Sequence, residues 1–230
     1  TIAGIVDGNV ESKNGGITVD AESHAKTKIH GTAVDVTGVV VTYASDIINN
    51  SSETIAQIGG NNKNTTVNAK DDITVKSYSE SKAEVDTTHV MVSTGDFAGV
   101  DIVDLQDSNH AYAQITGNTN INNNASKKDA DGNLKTDELG KLTIHATSDT
   151  ELKSENHTTK VQITQVYTGN KSNVSANTET KALLKDTIGT VNTKGLDIIT
   201  DYKTMRAYQE TGVVRVVAAS AAAQATSGAK

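Results

Sequence analysis

The chain has 230 residues and a formal net charge of −7, with no Cys, Pro or Trp and an aromatic fraction of 3%. These values exclude a disulfide-stapled domain, a globule cored on aromatic rings, and a nucleic-acid binder, which needs a basic face for phosphates. Val213 to Ala223 is the longest apolar run and is broken by Arg215, well short of the ~20 residues of a helical membrane span.

Position 1 is not Met, and no charged-then-apolar leader follows it. This predicts a single segment, 1–230, cut from a longer chain. The lack of Cys suits passage across an envelope in an unfolded state.

Four copies of one unit follow each other along the chain. They open at Gly16-Ile17-Thr18-Val19, Asp72-Ile73-Thr74-Val75, Lys141-Leu142-Thr143-Ile144 and Asp197-Ile198-Ile199-Thr200. A lead-in precedes each: Gly8-Asn9-Val10, Thr66-Val67-Asn68, Asn120-Ile121-Asn122 and Thr190-Val191-Asn192. Recurrence at about 56 residues marks a stacked or arrayed architecture.

Within a copy the residues alternate. Val19, Ala21, Ser23 and Ala25 are matched by Val75, Ser77, Ser79 and Ser81, and by Ile144, Ala146, Ser148 and Thr150. Asp20, Lys76 and His145, then His24, Glu80 and Asp149, fill the intervening polar positions. Period two over about ten residues predicts a strand with one buried face, and the small buried side chains leave room for a rung ~4.8 Å away. Aligned on Ile198, the fourth copy breaks the file at Tyr202 and Arg206, which predicts looser or terminal packing.

A second strand region is expected over Ala33–Tyr43, His89–Thr94 with Val100–Val103, Val161–Tyr167 and Val213–Ala218. A third is expected at Thr54–Gly60 beside Ala111–Gly117. Asn, Gly and Asp mark the junctions. Only Ala182–Lys185 and Ala218–Ala225 carry any helical signal. The fold class is therefore all-β. A parallel β-solenoid is favoured by the fixed period and the in-file small residues, with an antiparallel sandwich or meander as the alternative. Coils of about 20 residues would give about eleven coils and a length of ~50 Å.

The phrases Thr54-Ile55-Ala56-Gln57-Ile58-Gly59 and Val67-Asn68-Ala69-Lys70-Asp71-Asp72-Ile73-Thr74-Val75 resemble the repeats of large bacterial type V secreted proteins. These include leukotoxin-like and filamentous-haemagglutinin-like exoproteins and autotransporter adhesins. Ala111-Tyr112-Ala113-Gln114-Ile115-Thr116-Gly117 repeats the first phrase. The resemblance implies a β-helical passenger on the bacterial surface or secreted from it, a virulence scaffold for adhesion to a host-cell receptor. Its partners would be that receptor and neighbouring repeats of the same parent chain. A leukotoxin-like cytotoxin is the second function it allows. No catalytic residue or cofactor site is carried over, and the Asn-Pro secretion motifs are missing.

The third copy opens 69 residues after the second, and the excess lies in Asn122 to Glu138. An insertion on a solenoid is the expected interaction element. Asp129, Asp131, Asn133, Asp137 and Glu138 offer oxygen ligands for calcium, but Gly132 sits at the fourth position of this string instead of the sixth. A hairpin tip with an Asp-Gly-Asn turn is the alternative. His24, His30, His89, His110, His145 and His157 form no close pair and are expected at outward, solvated positions. Tyr43 and Tyr167, at nearly equal repeat offsets, are expected to stack. A polysaccharide-active β-helix enzyme would need paired carboxylates and aromatic sugar platforms; six Tyr, one Phe and no Trp supply few. The expectation is a non-enzymatic segment.

Overall fold

In a computed structural model, described over residues 1–38, 40–94, 97–124, 127–162, 166–185, 189–217 and 224–229, each repeat makes one coil. A coil runs through a short strand, a long strand, a turn and a second long strand. The first coil has β2 (Gly8–Ser12), β3 (Ile17–Thr37) and β4 (Val40–Ile58); the second has β5 (Asn64–Ala69), β6 (Ile73–Ser93) and β7 (Phe97–Ile115). The third has β8 (Asn118–Ile121), β9 (Lys141–Gln162) and β10 (Val166–Leu184). Strand β1 (Ile2–Ile5) precedes them, and β11 (Gly195–Val217) and β12 (Gln224–Ala229) follow.

Three sheets result: a short one, β2-β5-β8, and two long ones, β3-β6-β9-β11 and β1-β4-β7-β10-β12. Every pairing between these strands is parallel. The protein is a parallel β-solenoid, and the antiparallel alternative is set aside. The two long sheets face each other, and the short sheet closes one edge. The cross-section is a flat blade: a 21-residue strand spans about 70 Å.

The repeat files predicted from the sequence hold in their core. Val10, Val67, Ile121 and Val191 stand in line on the short sheet. Ile17, Ile73 and Leu142 pair, and Thr54–Ile58 matches Ala111–Ile115 residue for residue. Turn geometry supports this register: Gly117 has φ 72°, and a Cβ there would lie 2.1 Å from the Gly60 carbonyl oxygen.

Several expectations need correction. A coil takes a whole repeat, not about 20 residues, so the stack is one rung per repeat and about 19 Å deep across the five-stranded sheet. The long strands run for 19 to 23 residues, because alternation continues beyond the apolar stretch with polar residues on the inner face. In the fourth copy Leu196, not Ile198, pairs with Leu142, 54 residues earlier, and a register shift between Tyr202 and Thr204 follows. Leu196, Ile198 and Tyr202 are exposed there, since the last rung lacks the cover that the inner rungs have. Tyr43 pairs with Val100 but Tyr167 with Ala98, so the two tyrosines are in different files. Ala182–Leu184 belongs to β10 and Gln224–Ala225 to β12, both strands; Ala218–Ala223 lies outside the described residues.

Inside the blade, apolar and polar zones alternate. Beside the short sheet, Ala56, Ile58, Val67, Ile73, Val75, Ile115, Ile121, Leu142 and Ile144 form one core. Further out, Ile48, Val85, Val103, Leu105, Leu152 and Val174 form a second. Between them runs a buried hydrogen-bonded ladder across the coils. Ser23 meets Ser52 at 3.0 Å and Ser52 meets Ser79 at 3.1 Å. Ser79 donates to Asn109 Oδ1 at 2.5 Å, and Asn109 Nδ2 donates onward to Thr150 Oγ1 at 2.9 Å. Buried polar groups are tolerated when partnered, and a ladder of this kind penalises a slip of one residue, which would strand every member.

Candidate functional site at the insertion

The insertion leaves the third coil at Asn122, whose φ of 50° turns the chain out of β8. Asn122 is itself pinned to both neighbouring coils. Its Oδ1 accepts from the Ala69 N–H at 2.8 Å, its Nδ2 donates to the Asn192 carbonyl at 3.3 Å, and Asn192 Nδ2 donates back to its carbonyl at 3.0 Å. The Val-Asn and Ile-Asn lead-ins of the sequence thus become a corner of buried amides. The chain returns at Gly140, where a Cβ would fall 2.2 Å from the Asp71 carbonyl oxygen. Pairing then resumes at Leu142 opposite Ile73.

Within the excursion, 125 and 126 lie outside the described residues. Lys127 is buried against the coil and donates through Nζ to the Glu138 carbonyl at 2.8 Å, joining the outgoing and returning legs. Lys128 and Leu134 form an antiparallel bridge, and the Asp-Gly-Asn string turns between them. Asp129 Oδ1 accepts from the backbone N–H groups of Asp131 at 3.0 Å and Asn133 at 2.8 Å. The Asn133 N–H is the main reason the Asp129 carboxyl lies below its ordinary range. Gly132 takes φ 83° as the turn demands.

The five oxygen-bearing residues considered for calcium are therefore divided. Asp129 is committed to the turn, with Asp131 and Asn133 beside it, whereas Asp137 and Glu138 sit on a 3-10 turn, Thr136–Glu138, in the returning leg. Asp137 and Glu138 face a cleft of about 450 Å³ with Asp71, Asp72, Lys70, Lys127, Lys141 and Lys194. A second cleft, about 510 Å³, lies beyond Lys127 and is lined by Glu11, Lys13, Asn68, Lys70 and Asn124. Both clefts offer charges of both signs, the second adds the amides of Asn68 and Asn124, and neither has an aromatic ring among its lining residues. Such walls suit ligands recognised through ionic and hydrogen-bonding groups. Sequence reading located the excursion with Asn122 at its start and Lys127 within it, but not the bonds these two make, nor that Lys70, Asp71 and Asp72 line the clefts beside it. The file of lead-in asparagines was the available signal for Asn122.

Histidine placement differs from expectation at one position. His24 stays on the outer face, bonded to Glu22 at 2.7 Å and to Glu80, one coil away, at 2.5 Å. His30 and His145 likewise meet Asp86 and Asp201 at 3.0 and 2.8 Å. His89 is buried inside the blade, 3.1 Å from Asp101. The inner face of the long strands turns polar there, so its alternation no longer follows hydrophobicity. The hydrogen bond to Asp101 raises the His89 pKa against the opposing effect of burial.

One outer cluster brings two carboxylates to adjacent rungs: Glu80 and Asp149 pair in the ladder. Lys82, then His24, hold the Glu80 carboxyl down at about 2. Asp149 accepts from the Tyr78 hydroxyl at 3.2 Å and faces Lys82 and Lys203 at 3.8 Å. A carboxyl so strongly held as the anion does not donate protons near neutrality.

No family model matches the chain, and no match was found among curated proteins or solved structures.

Proposed function

We propose that this chain is a non-enzymatic passenger segment of a large secreted or surface-displayed bacterial exoprotein, a rigid scaffold that presents the 122–138 insertion to a host-cell or other cell-surface receptor. The observation that carries this reading is the division of labour at the third coil. The excursion leaves and re-enters with no loss of register, so the scaffold is built independently of the loop it carries. The two charged clefts lie between that loop and the coil, where a receptor segment bearing carboxylates, ammonium groups or hydroxyls would find partners. The clamped state of Glu80 and the lack of aromatic platforms in the clefts favour binding over carbohydrate chemistry. Neighbouring repeats of the same kind fit the last rung, where Leu196 and Ile198 are exposed in files that are buried one rung earlier.

Binding of the purified segment to intact host cells tests the reading, beside a variant in which residues 123–138 become a short turn while Asn122 and Gly140 are kept. Binding lost with an unchanged β-type circular dichroism spectrum and unfolding midpoint is the expected result. Equal binding by both forms would remove the insertion from the interface.

A further inference from the structure

Where the two long strands of each coil turn into one another, the polarity of the blade is reversed. Along most of the first long sheet, charged side chains such as Lys28, Glu84 and Lys153 point outward, and Ile73, Val85 and Leu152 point inward. Near the turns the outward positions become apolar. Val34 and Val36 are 63% and 69% exposed, Val161 and Val214 are exposed in the same region, and Val90 and Val92 stand between them in register. The opposite outer face carries Tyr43, 71% exposed, with Val100 beside it. Facing inward at the same level are Thr87, His89, Asp101, Asn156, Thr158 and, 1% exposed, Lys160; Met91 is the apolar exception.

Water does not select this arrangement. Burying Asp101 and Lys160 carries a desolvation cost, and exposing valines gains no burial. Apolar-out, polar-in alternation is the pattern of strands whose outer surroundings are hydrocarbon. We propose that the strand ends beside the turns form a ridge that embeds in the surface of an electrically neutral phospholipid bilayer. The apolar residues lie on both outer faces of the blade edge. A flat protein partner would cover one of them, whereas a lipid layer closes around both. From Val34 to the turn at Gly38 the strand advances about 13 Å, enough to cover the ~5–10 Å depth of interfacial insertion and far short of the ~30 Å of a span. Back from the ridge, Thr32, Thr88, His157 and Gly212 form the next outward file and His30, Asp86, Glu155 and Glu210 the one after it; on the other face Ile102 with Lys171, and then Asp104, lie behind Val100. The carboxylates of the second files, Asp86, Glu155, Glu210 and Asp104, with the net charge of −7, select neutral headgroups over anionic ones. The proposal rests on the strand-end geometry and does not depend on the receptor reading of the insertion.

Flotation with phosphatidylcholine vesicles tests it. The chain is expected to float with the vesicles, less so when phosphatidylserine is added. Joint substitution of Val34→Asn, Val36→Asn and Tyr43→Asn, all at exposed positions, should weaken partition at least about tenfold with an unchanged dichroism spectrum. Leu196→Asn with Ile198→Asn, on the last rung, should not weaken it. The chain has no cysteine, so Val36→Cys and Lys28→Cys each accept a single environment-sensitive dye. A blue shift with vesicles is expected at 36 and not at 28. Absence of flotation, or flotation that survives the triple substitution, overturns the proposal. Self-association of the chain that the triple substitution abolishes, without vesicle binding, would assign the ridge to a second copy instead.

Discussion

Asn109 is the member of the internal ladder whose loss should be felt most. It is fully buried and joins two coils: Oδ1 accepts from Ser79, and Nδ2 reaches the Ser79 carbonyl at 3.1 Å, the Asp149 carbonyl at 3.4 Å and Thr150 Oγ1 at 2.9 Å. Two amide hydrogens cannot serve three acceptors at full strength, so the count is about three effective bonds. At ~1 kcal/mol each, with desolvated partners left behind, Asn109→Ala should cost about 3 kcal/mol. With a urea dependence of about 3 kcal/mol per molar, that is a fall of about 1 M in the unfolding midpoint. Asn109→Leu restores volume but takes one partner each from the Ser79 and Thr150 hydroxyls, which keep Ser52 and Thr178, and leaves the Ser79 carbonyl without the amide donor, so it should be destabilised by about 2 kcal/mol. Asn118→Ala, at an exposed amide pair with Asn64, should stay within ~0.5 kcal/mol of the parent. Parental stability in Asn109→Leu would refute the claim that partnered polar groups hold this zone.

The His89–Asp101 pair should make stability pH-dependent in a definite sense. His89 is raised above its ordinary 6.5, so its contribution is complete below that value and is lost as pH rises through the higher folded pKa. For Asp101, burial pushes upward but the His89 hydrogen bond and the Lys160 charge bring it below its ordinary 3.8; its contribution is complete above 3.8 and is lost only as pH falls further. Thermal melting of the parent against His89→Gln should therefore differ more at about pH 5.5 than at about pH 8.5, and equal differences would sink the assignment. Gly117→Ala places a Cβ 2.1 Å from the Gly60 carbonyl at a left-handed φ. It should cost at least about 2 kcal/mol in urea unfolding; a loss within error of zero would mean the turn is not held as described.

The repeat period, the small buried files and the lead-in segments were legible in the sequence because stacked coils place equivalent residues against one another. Val67 must fit Ile121, and Ala56 must fit Ala113, so the pattern recurs in the chain. The insertion was legible for the same reason, as a break in that period. Coil size was not. Alternation reports which face a residue takes, but it becomes unreadable as a core signal where the inner face carries Ser79, Asn109, His89 and Lys160. A strand of ten residues and one of twenty-one then look alike. Only the tertiary structure shows that each repeat folds as two long facing strands, because that depends on hydrogen bonding between residues 54 to 69 positions apart. The same dependence brings Lys127, Asp71 and Lys194 to one cleft and turns the valines of the strand ends outward. Those placements follow from how successive coils stack and where each one bends.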